Sequence, residues 1–236
     1  DNYSTTMASY SHLLHGNRLL AAANATPAEW SARVGAAPTP IGAGGHSQRS
    51  SSDDDGVSWS KPINITEQVK KPEWCFILQG PGTGITMRDG TIVFAAQYQD
   101  PPNKQRLPHS TIIYSRDHGE TWQVGTGAFD DTTEAQVVET EPGVLMLNCR
   151  YNRKSARVVM ITRDLGRTWH KHTTSERALI EPRACMASLI DVDQETGKDS
   201  GGWLLFSNPD SLIGRHRITI KASRDRGQTW PAQHRL

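Results

Sequence analysis

One eight-residue turn is written four times in this chain, and nothing else constrains its fold as tightly. "SDDDGVSW" runs from Ser52 to Trp59 and "SRDHGETW" from Ser115 to Trp122. "TRDLGRTW" spans Thr162 to Trp169, and "SRDRGQTW" spans Ser223 to Trp230. Successive copies lie about 47 to 63 residues apart, too far for a short solenoid repeat and right for one four-stranded propeller blade with its loops. Each fixed position has a physical task. The carboxylates of Asp54, Asp117, Asp164 and Asp225 can accept backbone N–H bonds within the turn. Gly56, Gly119, Gly166 and Gly227 supply a backbone with positive φ. Trp59, Trp122, Trp169 and Trp230 are large apolar anchors for a neighbouring sheet. Four of the seven tryptophans fall in these turns, which favours one anchor per structural unit. These aspartates read as structural, not catalytic.

The segments before the turns have strand character. "STIIYS", "ARVVMIT" and "RITIKAS" are rich in β-branched residues and bounded by polar turns. Upstream, "GITMRDGTIVFAAQ" reads as a hairpin turning at Asp89–Gly90, and "AQVVETEPGVLMLN" as another turning at Glu141–Pro142–Gly143. Each unit thus holds an inner hairpin, a third strand, the repeated turn and a fourth strand. No long helical period interrupts the pattern, so the expectation is an all-β propeller.

Composition narrows the function. A formal net charge of +1 on 236 residues, with acids and bases mixed, gives no electrostatic case for nucleic acid. No apolar run approaches the ~20 residues of a membrane span, and the chain carries no recognisable targeting signal. Cys75, Cys149 and Cys185 are widely spaced and odd in number, which argues for free thiols rather than disulfides or a zinc site. The nine histidines show no ligand-like spacing, so no metal and no cofactor is expected.

The four turns match the Asp-box of the sialidase superfamily. Together with "GPGTGITMRDGTIVFAAQYQD", "TTEAQVVETEPGVLMLNCR", "CMASLI", "FSNPD" and "GRHRITIKAS", they resemble the bacterial exo-α-sialidases of glycoside hydrolase family 33. The resemblance runs from Asp54 to the C-terminus. It implies a six-bladed β-propeller that hydrolyses terminal α-linked sialic acid from glycoconjugates with retention of configuration. The implied partners are sialylated glycans, and the implied location is secreted, periplasmic or at the cell surface. The family grips the sugar carboxylate with three arginines, whose guanidinium forks match a carboxylate. It uses a tyrosine nucleophile because the anomeric carbon itself carries a carboxylate that would repel an anionic one. A glutamate partners that tyrosine, and an aspartate serves as acid/base.

By this resemblance Glu134 in "TTEAQVVE" is the glutamate, Arg150 is the second arginine, and Arg215 in "GRHR" is the third, with Arg217 as the fallback. Chain geometry supports the first pair independently. Glu134 and Arg150 are equidistant from Pro142, so the hairpin should set them opposite each other. A surface cross-strand pair would look the same. Gln97 ends the preceding inner hairpin and can line a pocket, and Asn152 can support the site or merely make a turn.

The family pattern fails at both ends. The Arg-Ile-Pro motif of the first arginine is absent, nothing before Ser52 matches the acid/base aspartate, and none of the five tyrosines matches the nucleophile's setting. Residues 1–50 read as a poorly defined segment, an altered or partial blade, in which "GNRLLAAANATPAEW" can be a short helix or an unrelated stretch. Residues 51–236 read as an incomplete propeller, giving about four blades of six. After Trp230 only six residues remain, little room for a closing strand. The expectation is an inactive piece of a sialidase. The alternative is a non-catalytic sialic-acid-binding or scaffold propeller.

Overall fold

A computed structural model describes residues 3–4, 10–15, 18–27, 46–193 and 201–236, with side chains for 47–193 and 201–236. Strands β1 (Tyr3–Ser4), β2 (Tyr10–His15), β3 (Arg18–Pro27), β4 (His46–Ser52) and β5 (Ile63–Asn64) form the first sheet. A short helix, α1 (Thr66–Val69), leads to the second sheet. There β6 (Phe76–Gln79) and β8 (Ile85–Thr86) flank one side of β9 (Ile92–Gln99), while β10 (Pro108–Ser115), β11 (Gln123–Val124) and β12 (Phe129–Asp130) extend the other. Between β6 and β8, β7 (Gly82–Thr83) pairs in parallel with β2 of the first sheet. The third sheet runs in chain order through β13 (Thr132–Glu141), β14 (Val144–Tyr151), β15 (Val158–Thr162) and β16 (His170–Lys171). The fourth repeats that order with β17 (Ser188–Asp191), β18 (Leu204–Pro209), β19 (Ile218–Ser223) and β20 (Ala232–Arg235). All pairs within the last two sheets are antiparallel, the up-and-down unit of a propeller blade.

The inner strands are apolar at consecutive positions because both faces are buried. Val137, Leu147 and Val158 join the cluster shared with the second sheet, through Val93 and Ile112. Their chain neighbours Val138, Met146 and Val159 face the other way, onto Leu189 and Phe206 of the fourth sheet. Alternation places successive side chains on opposite faces, so a sheet covered on both sides needs an unbroken apolar run.

The repeated turn has one geometry in all four copies. In the second, the Ser115 hydroxyl donates to Asp117 Oδ1 (2.8 Å) and accepts from the Gly119 N–H (2.8 Å). Asp117 also accepts from the Thr121 N–H (2.9 Å) and hydroxyl (2.5 Å). These donors hold the Asp117 carboxyl at about 2, the Thr121 hydroxyl contributing most, and Asp54, Asp164 and Asp225 are lowered likewise. The residue before each glycine is also left-handed, at Asp55, His118, Leu165 and Arg226.

Each later copy ties its sheet to the one before. The Trp122 N–H donates to Gln68 Oε1 in α1 (2.7 Å), Trp169 Nε1 donates to the Thr126 carbonyl (3.2 Å), and Gln228 accepts from the Thr173 hydroxyl (2.5 Å). Trp122 and Trp230 are buried, but Trp59 in the first copy is 46% exposed, so the anchoring expected of it is not made by any described residue. Two other expectations are corrected. Arg18–Pro27 is a strand, not a helix, paired with β2 and β4. The six residues after Trp230 do hold a closing strand, because Ala232–Arg235 pairs with Thr219–Ala222.

Candidate functional site

Two irregularities set the geometry around Glu134. A register shift between Glu139 and Glu141 puts Gln136 opposite Asn148 and Ala135 opposite Cys149. A second, between Thr132 and Ala135, leaves Thr133 and Glu134 together facing Arg150. Such a bulge bends the strand end and re-aims its side chains. Glu134 Oε2 accepts from Arg150 Nη1, and both side chains are about a quarter exposed. The pairing expected from the turn is therefore made, across a bulge rather than a regular ladder.

Arg150 Nε is buried with no hydrogen-bond partner, and so are Gln97 Oε1 and Thr133 Oγ1. Buried polar atoms are nearly always satisfied, so three unpaired ones near one strand end stand out. Gln97 lies opposite Leu78 and Ser110. The Ser110 hydroxyl in turn donates to the Thr133 carbonyl (2.5 Å) and its backbone N–H donates to Thr132 Oγ1 (3.0 Å), stitching the second sheet to the start of β13. The "LQGPG" segment packs on the same place. Gln136 Nε2 donates to the Pro81 carbonyl (2.9 Å), and Gly82, at φ +132, leaves no room for a Cβ, which would lie 2.2 Å from Gln136 Nε2.

Arg215 lies in the loop before β19 and is exposed. Its Nη2 donates to the Ala184 carbonyl (3.2 Å). No direct contact joins it to Glu134 or Arg150. The link is a strap, residues 180–185, running between the third and fourth sheets. Arg217, the fallback, is exposed in left-handed backbone (φ 56), and its carbonyl accepts from the Asp210 N–H (3.0 Å).

The strap is fastened by a residue the sequence does not single out. Arg157 is fully buried, and its guanidinium donates to Asn148 Oδ1 (2.7 Å), the Asn148 carbonyl (3.0 Å), the Cys185 carbonyl (2.6 Å) and both oxygens of buried Glu181 (3.3 Å each). Burial pushes the Glu181 carboxyl up and the Arg157 guanidinium down. An arginine nonetheless remains protonated. From the other side, Arg183 Nη2 donates to the Asn152 carbonyl (3.1 Å), and Asn152 Nδ2 donates to Asp131 (3.0 Å), giving Asn152 a part in the rim turn.

Burial pushes the Tyr98 phenol up to about 12, with Asp100 adding to the effect, and its ring is stacked between Trp74 and His109. Burial likewise pushes the Cys149 thiol up to about 12. Cys149 and Cys185 are buried free thiols, while Cys75 is half-buried. Among the described residues no group of three His, Cys, Asp or Glu side chains is placed to hold a metal ion. The repeated turns lie at the far end of the strands: Ser110 touches β13, and Ser115 opens the turn five residues on, ~17 Å away at strand spacing.

Comparison with known proteins gives a concordant picture. A family model described as "BNR repeat-like domain" matches residues 12–236. A sialidase from Bacteroides fragilis is 55% identical over 188 residues, covering 78% of this chain and 33% of its own. A sialidase from Clostridium perfringens is 33% identical over 175 residues, covering 70% of this chain and 44% of its own. Among solved structures, a Hadza microbial sialidase superposes on all of this chain with a TM-score of 0.88 at 50% identity, and 46% of that protein is covered. The chain therefore spans between a third and a half of these relatives' lengths.

Proposed function

The chain belongs to the BNR repeat-like domain family, and from that footing we propose that it carries part of the sugar-binding and catalytic site of an exo-α-sialidase. The observation that carries the reading is the Glu134–Arg150 pair at the bulged end of β13 and β14, with Arg150 Nε buried and unpaired beside it. In this reading Arg150 and Arg215 donate to the carboxylate of a terminal sialic acid. Charge-assisted guanidinium–carboxylate bonds are short, directional and about twice as strong as neutral ones. Glu134 holds the Arg150 guanidinium in place and supplies the carboxylate that accepts a proton from a tyrosine hydroxyl, the role its family counterpart plays. Gln97 and Thr133 each carry a buried oxygen atom without a partner, and in this reading they turn to the hydroxyl and amide groups of the sugar. Residues 51–236 act as one run of blades in this reading, with 1–50 contributing a partial blade. A secreted, periplasmic or surface location belongs to the same reading.

The test is calorimetric titration of the chain with N-acetylneuraminic acid. Arg150→Ala and Arg215→Ala are each expected to weaken binding by ~10- to 100-fold, the worth of a hydrogen bond to a charged group. Equal affinity in all three proteins would sink the reading. On its own the chain is expected to release no 4-methylumbelliferone from the corresponding sialoside, and robust turnover would contradict that.

A further inference from the structure

The strap that anchors Arg215 also carries a third arginine, and the site as described leaves it unused. Arg183 is exposed, two residues beyond buried Glu181 and next to Ala184, whose carbonyl holds Arg215. Both Arg183 and Ala184 are in left-handed backbone, so the strap turns sharply between its two anchors, Glu181 and Cys185. Those anchors are fixed from below by Arg157, so the strap is a rigid mount. One N–H of Arg183 is taken by the Asn152 carbonyl. Asn152 follows Arg150 by two residues, ~7 Å along an extended chain. The Arg183 guanidinium is thus tied to the turn that follows Arg150 and lies next in sequence to the residue that holds Arg215, and no carboxylate is bonded to it. The nearby acids have other partners: Asp131 is bonded to Arg153 Nε (2.7 Å) and Asn152 Nδ2 (3.0 Å), Asp130 to His109 Nδ1 (3.2 Å), and Glu134 to Arg150.

We propose that Arg183 is a specificity-determining residue that takes a second anionic group on the glycan, one sugar away from the terminal sialic acid. The inference rests on the sialic-acid reading of Arg150 and Arg215. A guanidinium with one fixed bond and a rigid mount keeps a fork of donors ready for a carboxylate or sulfate, at little ordering cost. The chemistry is shared by two sources, the carboxylate of an adjoining sialic acid and a sulfate ester on the penultimate sugar.

The experiment measures binding of the chain to three glycans: 3′-sialyllactose, α2,8-disialyllactose, and 3′-sialyllactose sulfated on galactose. The doubly anionic glycans should bind roughly three- to tenfold tighter, as expected for a charge-assisted contact at an exposed site, and added salt should shrink the margin. A margin for disialyllactose alone assigns the carboxylate, and one for the sulfated glycan alone assigns the sulfate. Arg183→Ala should abolish the margin while lowering 3′-sialyllactose affinity by less than about twofold, as expected for loss of one exposed hydrogen bond, and Arg183→Lys should restore part of the margin. Binding of 3′-sialyllactose without any margin, or a margin that survives Arg183→Ala, overturns this inference alone. Failure to bind any of the three overturns the sialic-acid reading and this inference with it.

Discussion

Replacing Glu181 with alanine strands the Arg157 guanidinium in the interior. The pair is fully buried, and Arg157 would keep Asn148 Oδ1, the Asn148 carbonyl and the Cys185 carbonyl but lose both carboxylate contacts. Removing one partner of a buried ion pair costs about 3–5 kcal/mol, because an uncompensated charge remains. For a chain of this length each kcal/mol moves the melting temperature by about 2–4 °C, so Glu181→Ala should lower it by ~6–20 °C. Glu181→Gln keeps an acceptor in place and should lose about half as much. The double variant Arg157→Met/Glu181→Leu should be less destabilised than Glu181→Ala, since it strands no charge, although Asn148 and the Cys185 carbonyl lose a donor. Thermal unfolding followed by tryptophan fluorescence reads all three. A shift below ~2 °C for Glu181→Ala, or a double variant worse than the single, would refute the role of the Arg157–Glu181 pair in fastening the strap.

Two further outcomes follow from the repeated turn. Asp54, Asp117, Asp164 and Asp225 are held near 2, below the ordinary 3.8, so their stabilisation is complete above 3.8 and is lost as pH falls through 2. Acid titration should show unfolding in that window, and Asp117→Asn should flatten it; an unchanged acid profile would contradict the turn's role. Trp122→Ala should cost about 3–5 kcal/mol by urea denaturation, because Trp122 is 3% exposed, whereas Trp59→Ala at 46% exposure should cost under about 1 kcal/mol. Equal costs would show that burial does not govern the anchor.

Local chemistry made much of this legible in the sequence. The aspartate, glycine and tryptophan of the turn act within eight residues, so their pattern survives without knowledge of the fold. The Glu134–Arg150 pairing was legible because a hairpin's register follows from its turn. The bulge that aims the pair was not, since nothing in "DDTTEAQ" announces that two residues will face one. The strap was hidden for a different reason. Arg157 immediately precedes an apolar strand, where a charged residue ordinarily faces water, and its partners lie nine and twenty-four to twenty-eight residues away in sequence. Strands β3 and β20 were obscured by composition, alanine-rich in one and wholly polar beyond Ala232 in the other, and backbone pairing to a neighbour overrides such weak preferences.

The central claim is that Glu134, Arg150 and Arg215 form part of a sialic-acid site. A crystal structure of the chain grown with N-acetylneuraminic acid tests it most directly. The sugar carboxylate is expected within hydrogen-bond distance of Arg150 and Arg215, with Arg150 Nε satisfied and Glu134 still paired to the guanidinium. A sugar bound away from both arginines, or bound there through its hydroxyls with its carboxylate in solvent, would contradict it.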